Sequence, residues 1–275
     1  MRVLAPAPLA GGLQILGSVA GVKDAVLQIL QKCGELRGDH SERNRRMRKP
    51  MSVETLENFG RVRLSKSFFM RDFLYSDITQ IHGIPNVPDD PDLAIEAGKR
   101  LCQELLEPIQ NHFGRIAIRS AYRSQMVNEE GNKKGHNCAS NEANYAAHIW
   151  DKRDSDGGMG ATACIVVPWF HDRYQQPGDW QKLAWWIHDH LPYSTMYFFP
   201  KLWAVNLQWH ERPERRIDSY PSPKGCLAKP SMKNHEGSHA HEYVGLPAFD
   251  PSLCTPEAVR PYGGADAETG DVAEE

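Results

Sequence analysis

No apolar run in the 275-residue sequence approaches the roughly 18 residues of a membrane-spanning helix. There is also no CxxC pair: Cys33, Cys102, Cys138, Cys164, Cys226 and Cys254 stand singly. Thiols scattered in this way, with Cys102 inside a predicted helix, read as reduced cysteines rather than a disulfide framework. GxGxxG and Walker-type loops are missing, and Gly157-Gly158-Met159-Gly160 does not lead from a strand into a helix as a phosphate cradle does. No internal repeat is visible. An excess of either charge is missing: the net value is −3, which favours neither nucleic acid nor an anionic membrane as partner. The basic run Arg43–Lys49 is short. An export signal is not convincing either, because Pro6, Pro8 and paired glycines break the apolar segment before Ala20. The default expectation is cytoplasmic, with the envelope as the alternative if the N-terminus is misread.

Apolar residues make up 40% of the chain and charged ones 24%, which suits a globular protein. Residues 1–60 read as an extension. Within it Val22–Cys33 has the helical spacing Val22, Val26, Ile29, Leu30, and Met51 is a candidate true start. Residues 61–220 hold the domain. Residues 221–275 read as a largely irregular tail rich in Pro, Gly and acidic side chains.

Within the domain, Ser65–Leu74 is a dense apolar cluster with helix-compatible spacing. Asp89 or Asp90 can cap a helix from Pro91 to about His112, with Leu93, Ala97, Leu101, Leu105 and Ile109 on one side. Pro108 is expected to kink or end its last turn. A strand over Arg115–Ser120 follows, then a helix no longer than Gln125–Glu130 and a long polar loop to Gly160. Ala161–Pro168 reads as a buried strand. Asp179 is placed to cap a helix over Trp180–Leu191, stopped by Pro192, and strands are expected at Ser194–Phe199 and Trp203–Trp209. Trp169, Trp180, Trp185 and Trp186 read as core rather than as a groove. Helices and strands do not alternate regularly, so the class is α+β.

The chemistry-bearing strings lie along this frame. Ser120-Ala121-Tyr122-Arg123-Ser124 ends the first strand, and His148 stands in the polar loop. Gly160-Ala161-Thr162-Ala163-Cys164-Ile165 enters the second strand, and Trp209-His210 ends the last one. In this order they resemble the Hedgehog/DD-peptidase fold of the zinc D-alanyl-D-alanine carboxypeptidases over roughly residues 65–215. That resemblance implies a small antiparallel sheet flanked by helices and one zinc ion held by His148, Cys164 and His210. It also implies Arg123 positioning a peptidoglycan-like peptide, and Ser120, Tyr122, Ser124 and Trp209 lining its site.

The sequence departs from the family pattern in three places. Ile149–Met159 is inserted between the histidine and the glycine, Cys164 replaces the metal aspartate, and Met196–Gln208 lacks the catalytic glutamate. Two imidazoles and a thiolate are a sound zinc set with one open position. A missing general base is worth roughly 10²–10⁴-fold in rate. Asp151, Asp154 and Asp156 in the insertion, and Glu211 beside His210, are the substitutes. Two functions therefore stand: a metal-dependent peptidase acting through metal-bound water, or a peptidase-like binding module that has lost hydrolysis. A competing string, His235-Glu236-Gly237-Ser238-His239, spells HExxH, but Gly237, Ser238 and the flanking Pro230 and Pro247 argue against the helix that motif needs.

Overall fold

The structure, a computed structural model, describes residues 46–254. The Val22–Cys33 helix expectation lies outside them. Within them, residues 47–254 cluster as one unit. That unit begins before residue 61, because helix α1 (Val53–Gly60), capped by Ser52, buries Phe59 in the core.

After a 3₁₀ turn at Met70–Phe73 and the short helix α2 (Asp77–His82), Asp90 caps α3 (Pro91–Leu101) by accepting from the Leu93 N–H. The expected single long helix continues through a π-turn at Cys102–Leu106 into α4 (Glu107–Phe113). Pro108 explains that turn. A proline has no N–H and its ring collides with the carbonyl four residues back, and one wide turn relieves both problems without a break. Ala97, Leu101, Leu105 and Ile109 are buried as the spacing predicts.

Strand β1 (Ala117–Ser120) is followed by α5 (Gln125–Lys133), a turn longer than expected, and a single helical turn, α6 (Asn141–Asn144). Then come β2 (Gly160–Val166), a turn of helix α7 (Pro168–His171) and α8 (Trp180–His190). Asp179 stands before α8 but turns its carboxylate back onto the Gln176 N–H at 2.9 Å, so it closes the preceding turn instead of capping the helix. Trp180, Trp185 and Trp186 of α8 are buried; side chains of this size contribute roughly 1.5–3 kcal/mol each when removed from water.

The sheet is larger than the small antiparallel one expected. Strands β3 (Thr195–Phe198), β4 (Val205–His210), β5 (Arg216–Ser219) and β6 (Gly225–Ala228) complete six, in the order β1-β2-β4-β3-β5-β6. All neighbours are antiparallel except β3 and β5. Neither β5 nor β6 was expected as a strand, and β6 lies beyond residue 220, where an irregular tail was anticipated. Their run of alternating residues is only four long, too short to stand out among prolines and glycines. Residues 229–254 then form a strap along α8 and α4. Trp186 Nε1 donates to the Pro247 carbonyl at 2.9 Å, and Asn111 Nδ2 donates to the Leu253 carbonyl at 2.7 Å.

One face of the sheet is the core. Val205, Leu207 and Trp209 of β4 point into it with Ala161, Ala163 and Ile165 of β2. Because side chains alternate, Thr162 and Cys164, with Asn206, Gln208 and His210, lie on the other face. The long loop between α5 and β2 folds over that face: Gln208 Nε2 donates to the Ala146 carbonyl at 2.9 Å, and the Thr162 N–H to the Ala147 carbonyl at 3.0 Å.

Candidate functional site

The end of β1 opens into a cavity of about 620 Å³. The string 120–123 forms one wall; α2 and the turn after α5 supply the other, with Asp77, His82, Lys134 and His136. Gly131 is what lets these elements meet. It sits in the middle of α5, where a Cβ would come within 2.6 Å of both Ile78 Cδ1 of α2 and Cys138 Sγ.

Arg123 is the best-defined functional side chain there. Its N–H donates to the His148 carbonyl at 2.8 Å, and its guanidinium donates from Nη1 to Cys138 Sγ at 2.9 Å. Nε is buried with no hydrogen-bond partner. Burial pulls the guanidinium below its ordinary pKa, while the Cys138 and Cys164 sulfurs, rather than a carboxylate, favour its charged form. A desolvated guanidinium of this kind has strong unmet affinity for an anion.

His148 is buried beside it. Nδ1 lies 2.8 Å from the Ala121 carbonyl, which can only accept, so Nδ1 carries the proton and Nε2 the lone pair. Burial, then the Arg123 charge, lowers its pKa to about 3. Cys164 lies near Arg119 and Arg123, whose charges pull its thiol down, but burial wins and pushes it up. A protonated thiol is a poor metal ligand.

His148, Cys164 and His210 are not gathered as a metal set. Cys164 pairs across the ladder with Asn206, whereas His210 pairs with Gly160, four residues further along β2. At 3.2–3.4 Å per residue that is about 13 Å, far beyond a shared ion. His210 instead binds the inserted loop: Nε2 is 3.0 Å from Asp154 Oδ2. Sequence order placed His210 at the end of the right strand but carried no information on register.

The remaining expected residues are accounted for locally. Ser120 and Tyr122 line the cavity, although the Tyr122 hydroxyl is buried. Ser124 caps α5 through the Val127 N–H. Trp209 faces the core, with Nε1 donating to Glu104 Oε2 at 2.8 Å and the Arg100 guanidinium over its ring, so it is not part of a binding surface. Among the candidate bases, Asp151 is buried and accepts from the Asp89 N–H at 2.7 Å. Burial raises its pKa; its Oδ1 and the Tyr122 hydroxyl influence each other's protonation without completing a well-formed hydrogen bond. Asp154 accepts from the Gly158 and Asp156 N–H groups. Burial would raise its carboxyl, but those bonds and the His210 and Arg212 charges hold it low. Asp156 contributes its carbonyl to Arg212. Glu211 accepts from the Met159 N–H at 2.7 Å and pairs with Arg153. None of these carboxylates lies in the Arg123 cavity.

Among the described residues one group of three has ligand atoms within 4.8 Å of one another: His188, Asp189 and His239. It could hold a metal ion. It joins α8 to the strap within the HExxH string, which here forms turns, not a helix. Its atoms are already partnered. His239 Nδ1 meets Asp189 Oδ1 at 2.6 Å and Nε2 the Asn234 carbonyl at 2.8 Å; His188 meets the Tyr193 hydroxyl and the His235 carbonyl.

A second cavity of about 650 Å³, near Met51, Val53, Leu56 and Met126, is mostly apolar and takes one motif residue, Ser124, into its lining. What the sequence reading missed was the far wall of the first cavity. His82 and His136 belong to no motif; their one signal is Gly131, a mid-helix glycine that marks a close approach. No family model matches the sequence, and no curated protein or solved structure matches the chain.

Proposed function

We propose that the chain is a peptidase-like binding module of the Hedgehog/DD-peptidase type, whose pocket takes the carboxylate end of a short, peptidoglycan-type peptide without hydrolysing it. The observation that carries this reading is Arg123: a largely buried guanidinium in a cavity wall, with Nε unpartnered and thiols where a counter-charge would stand. Lys134 and two histidines add donors to the same cavity, against a single carboxylate, Asp77, already accepting from the Tyr75 hydroxyl. A cavity of this size suits a dipeptide or tripeptide.

The hydrolytic alternative has less support. It needs zinc at His148, Cys164 and His210 and a nearby base; Cys164 is separated from His210 along the ladder, and Asp151, Asp154 and Glu211 are engaged elsewhere. Zinc at His188, Asp189 and His239 would be structural, tying strap to helix. The discriminating experiment incubates the protein with D-Ala-D-Ala and with a muropeptide, then measures both retention and integrity by mass spectrometry. Retained, intact ligand supports the binding reading; cleaved ligand in proportion to protein supports the peptidase.

A further inference from the structure

At the outer wall of the same cavity, the last residue of α2 and the turn after α5 bring two imidazoles together by their Nε2 edges. His82 Nε2 and His136 Nε2 are 3.4 Å apart. That is long for a hydrogen bond between ring nitrogens, which prefers roughly 2.7–3.2 Å. It matches the edge of a tetrahedron around a divalent ion: with metal–nitrogen bonds of 2.0–2.1 Å, two ligands lie about 3.3–3.4 Å apart. The rings are tilted by 38°, with centroids 5.6 Å apart, so they meet by their nitrogen-bearing edges instead of stacking.

The surroundings fit the same geometry. Glu130 Oε1 stands 3.9 Å from His82 Nδ1, beyond hydrogen-bond distance but close enough to set negative charge beside the ring. The turn carrying His136 is pinned by its N–H to the Gly131 carbonyl at 2.8 Å and by Gly135 at φ +71, which only glycine adopts freely. His136 is exposed and His82 half-buried, so an ion can enter from solvent and keep its other positions open.

We propose that His82 and His136 form a two-histidine site for a borderline divalent ion of the zinc, nickel or copper class at the mouth of the Arg123 pocket. Imidazole pairs select this class over magnesium or calcium. Both histidines line the cavity that Arg123 also lines, so an ion there and the guanidinium would share one pocket and could hold one anionic ligand between them. Metal binding itself does not depend on the carboxylate reading.

The test is calorimetric titration of the full chain, freed of metal by chelator, with zinc chloride, and with cobalt chloride followed by visible absorption. His82→Ala and His136→Ala are each expected to weaken binding roughly tenfold or more. Zinc titration of the wild type beside its titration with D-Ala-D-Ala separates the two readings: zinc bound with no dipeptide bound overturns the carboxylate reading alone, and dipeptide bound with no zinc bound overturns this site alone. Both histidines are at the surface, and circular dichroism checks that each variant remains folded. Zinc binding that survives His82→Ala and His136→Ala but is lost in Asp189→Asn overturns the proposal, as does the absence of any binding by the folded wild type.

Discussion

Cys164 of β2 stands opposite Asn206 of β4, while His210 stands opposite Gly160. That register decides how the expected metal residues behave when changed. A ligand facing Cys164 would have to occupy position 206, and an amide is there. His210→Ala is therefore expected to leave bound zinc unchanged while loosening the 151–159 loop that it holds through Asp154. Elemental analysis and amide hydrogen exchange read the two effects separately; loss of metal without faster exchange would restore His210 as a ligand.

Gly160 is required by close packing. A Cβ there would sit 2.2 Å from the Ala146 carbonyl oxygen and 2.7 Å from the His210 ring, and the first is backbone that cannot swing aside. Gly160→Ala should cost about 2–3 kcal/mol in urea denaturation, at the upper end for overpacking. A change under about half a kcal/mol would mean that the loop is not held against β2.

Much of the frame was legible in the sequence because its helices have strong period and punctuation. Asp90, Pro91 and Gly114 bound the α3–α4 segment, and the apolar run 161–167 can only be a buried strand. The π-turn was not legible, since Pro108 signals a disturbance without saying which kind. The candidate site was half legible. Ser120–Arg123 are contiguous and line one wall, but His82 and His136 arrive there through packing at Gly131, a long-range event that no local pattern encodes. His210 misled for a simple reason: strand order does not fix register, and a shift of four residues keeps the side chain on the same face.

Acid should unfold the protein earlier than its carboxylates alone would. His148 is held near a pKa of about 3 against an ordinary value of 6.5, and burial lowers His188 and His190 in the same direction. In each case the unfolded chain binds the proton first. The stability associated with the neutral ring is thus complete above about pH 6.5 and is lost as pH falls toward 3. Melting temperatures measured between pH 7 and pH 4 should fall, and His148→Gln should flatten part of that slope. An unchanged slope in the folded variant would show that His148 is not the buried neutral ring described.

Asp189 anchors the strap by accepting from His239 Nδ1, the His239 N–H and the Tyr243 hydroxyl, at 2.6, 2.7 and 3.0 Å. Removing one partner of a buried pair leaves the other uncompensated, typically at a cost of about 3 kcal/mol or more. Asp189→Ala should lower stability by that order and raise hydrogen exchange over residues 229–254 first. Uniform destabilisation without preferential exchange in the strap would contradict this anchoring role.

The central claim is that the Arg123 guanidinium recognises a carboxylate. Its most direct measurement is the dissociation constant of one dipeptide as free acid and as C-terminal amide, on wild type and on Arg123→Gln. A charge-assisted contact worth about 1.5–3 kcal/mol predicts that wild type prefers the acid by roughly 10–100-fold, and that Arg123→Gln binds acid and amide alike. Equal affinity of the wild type for acid and amide would contradict the account.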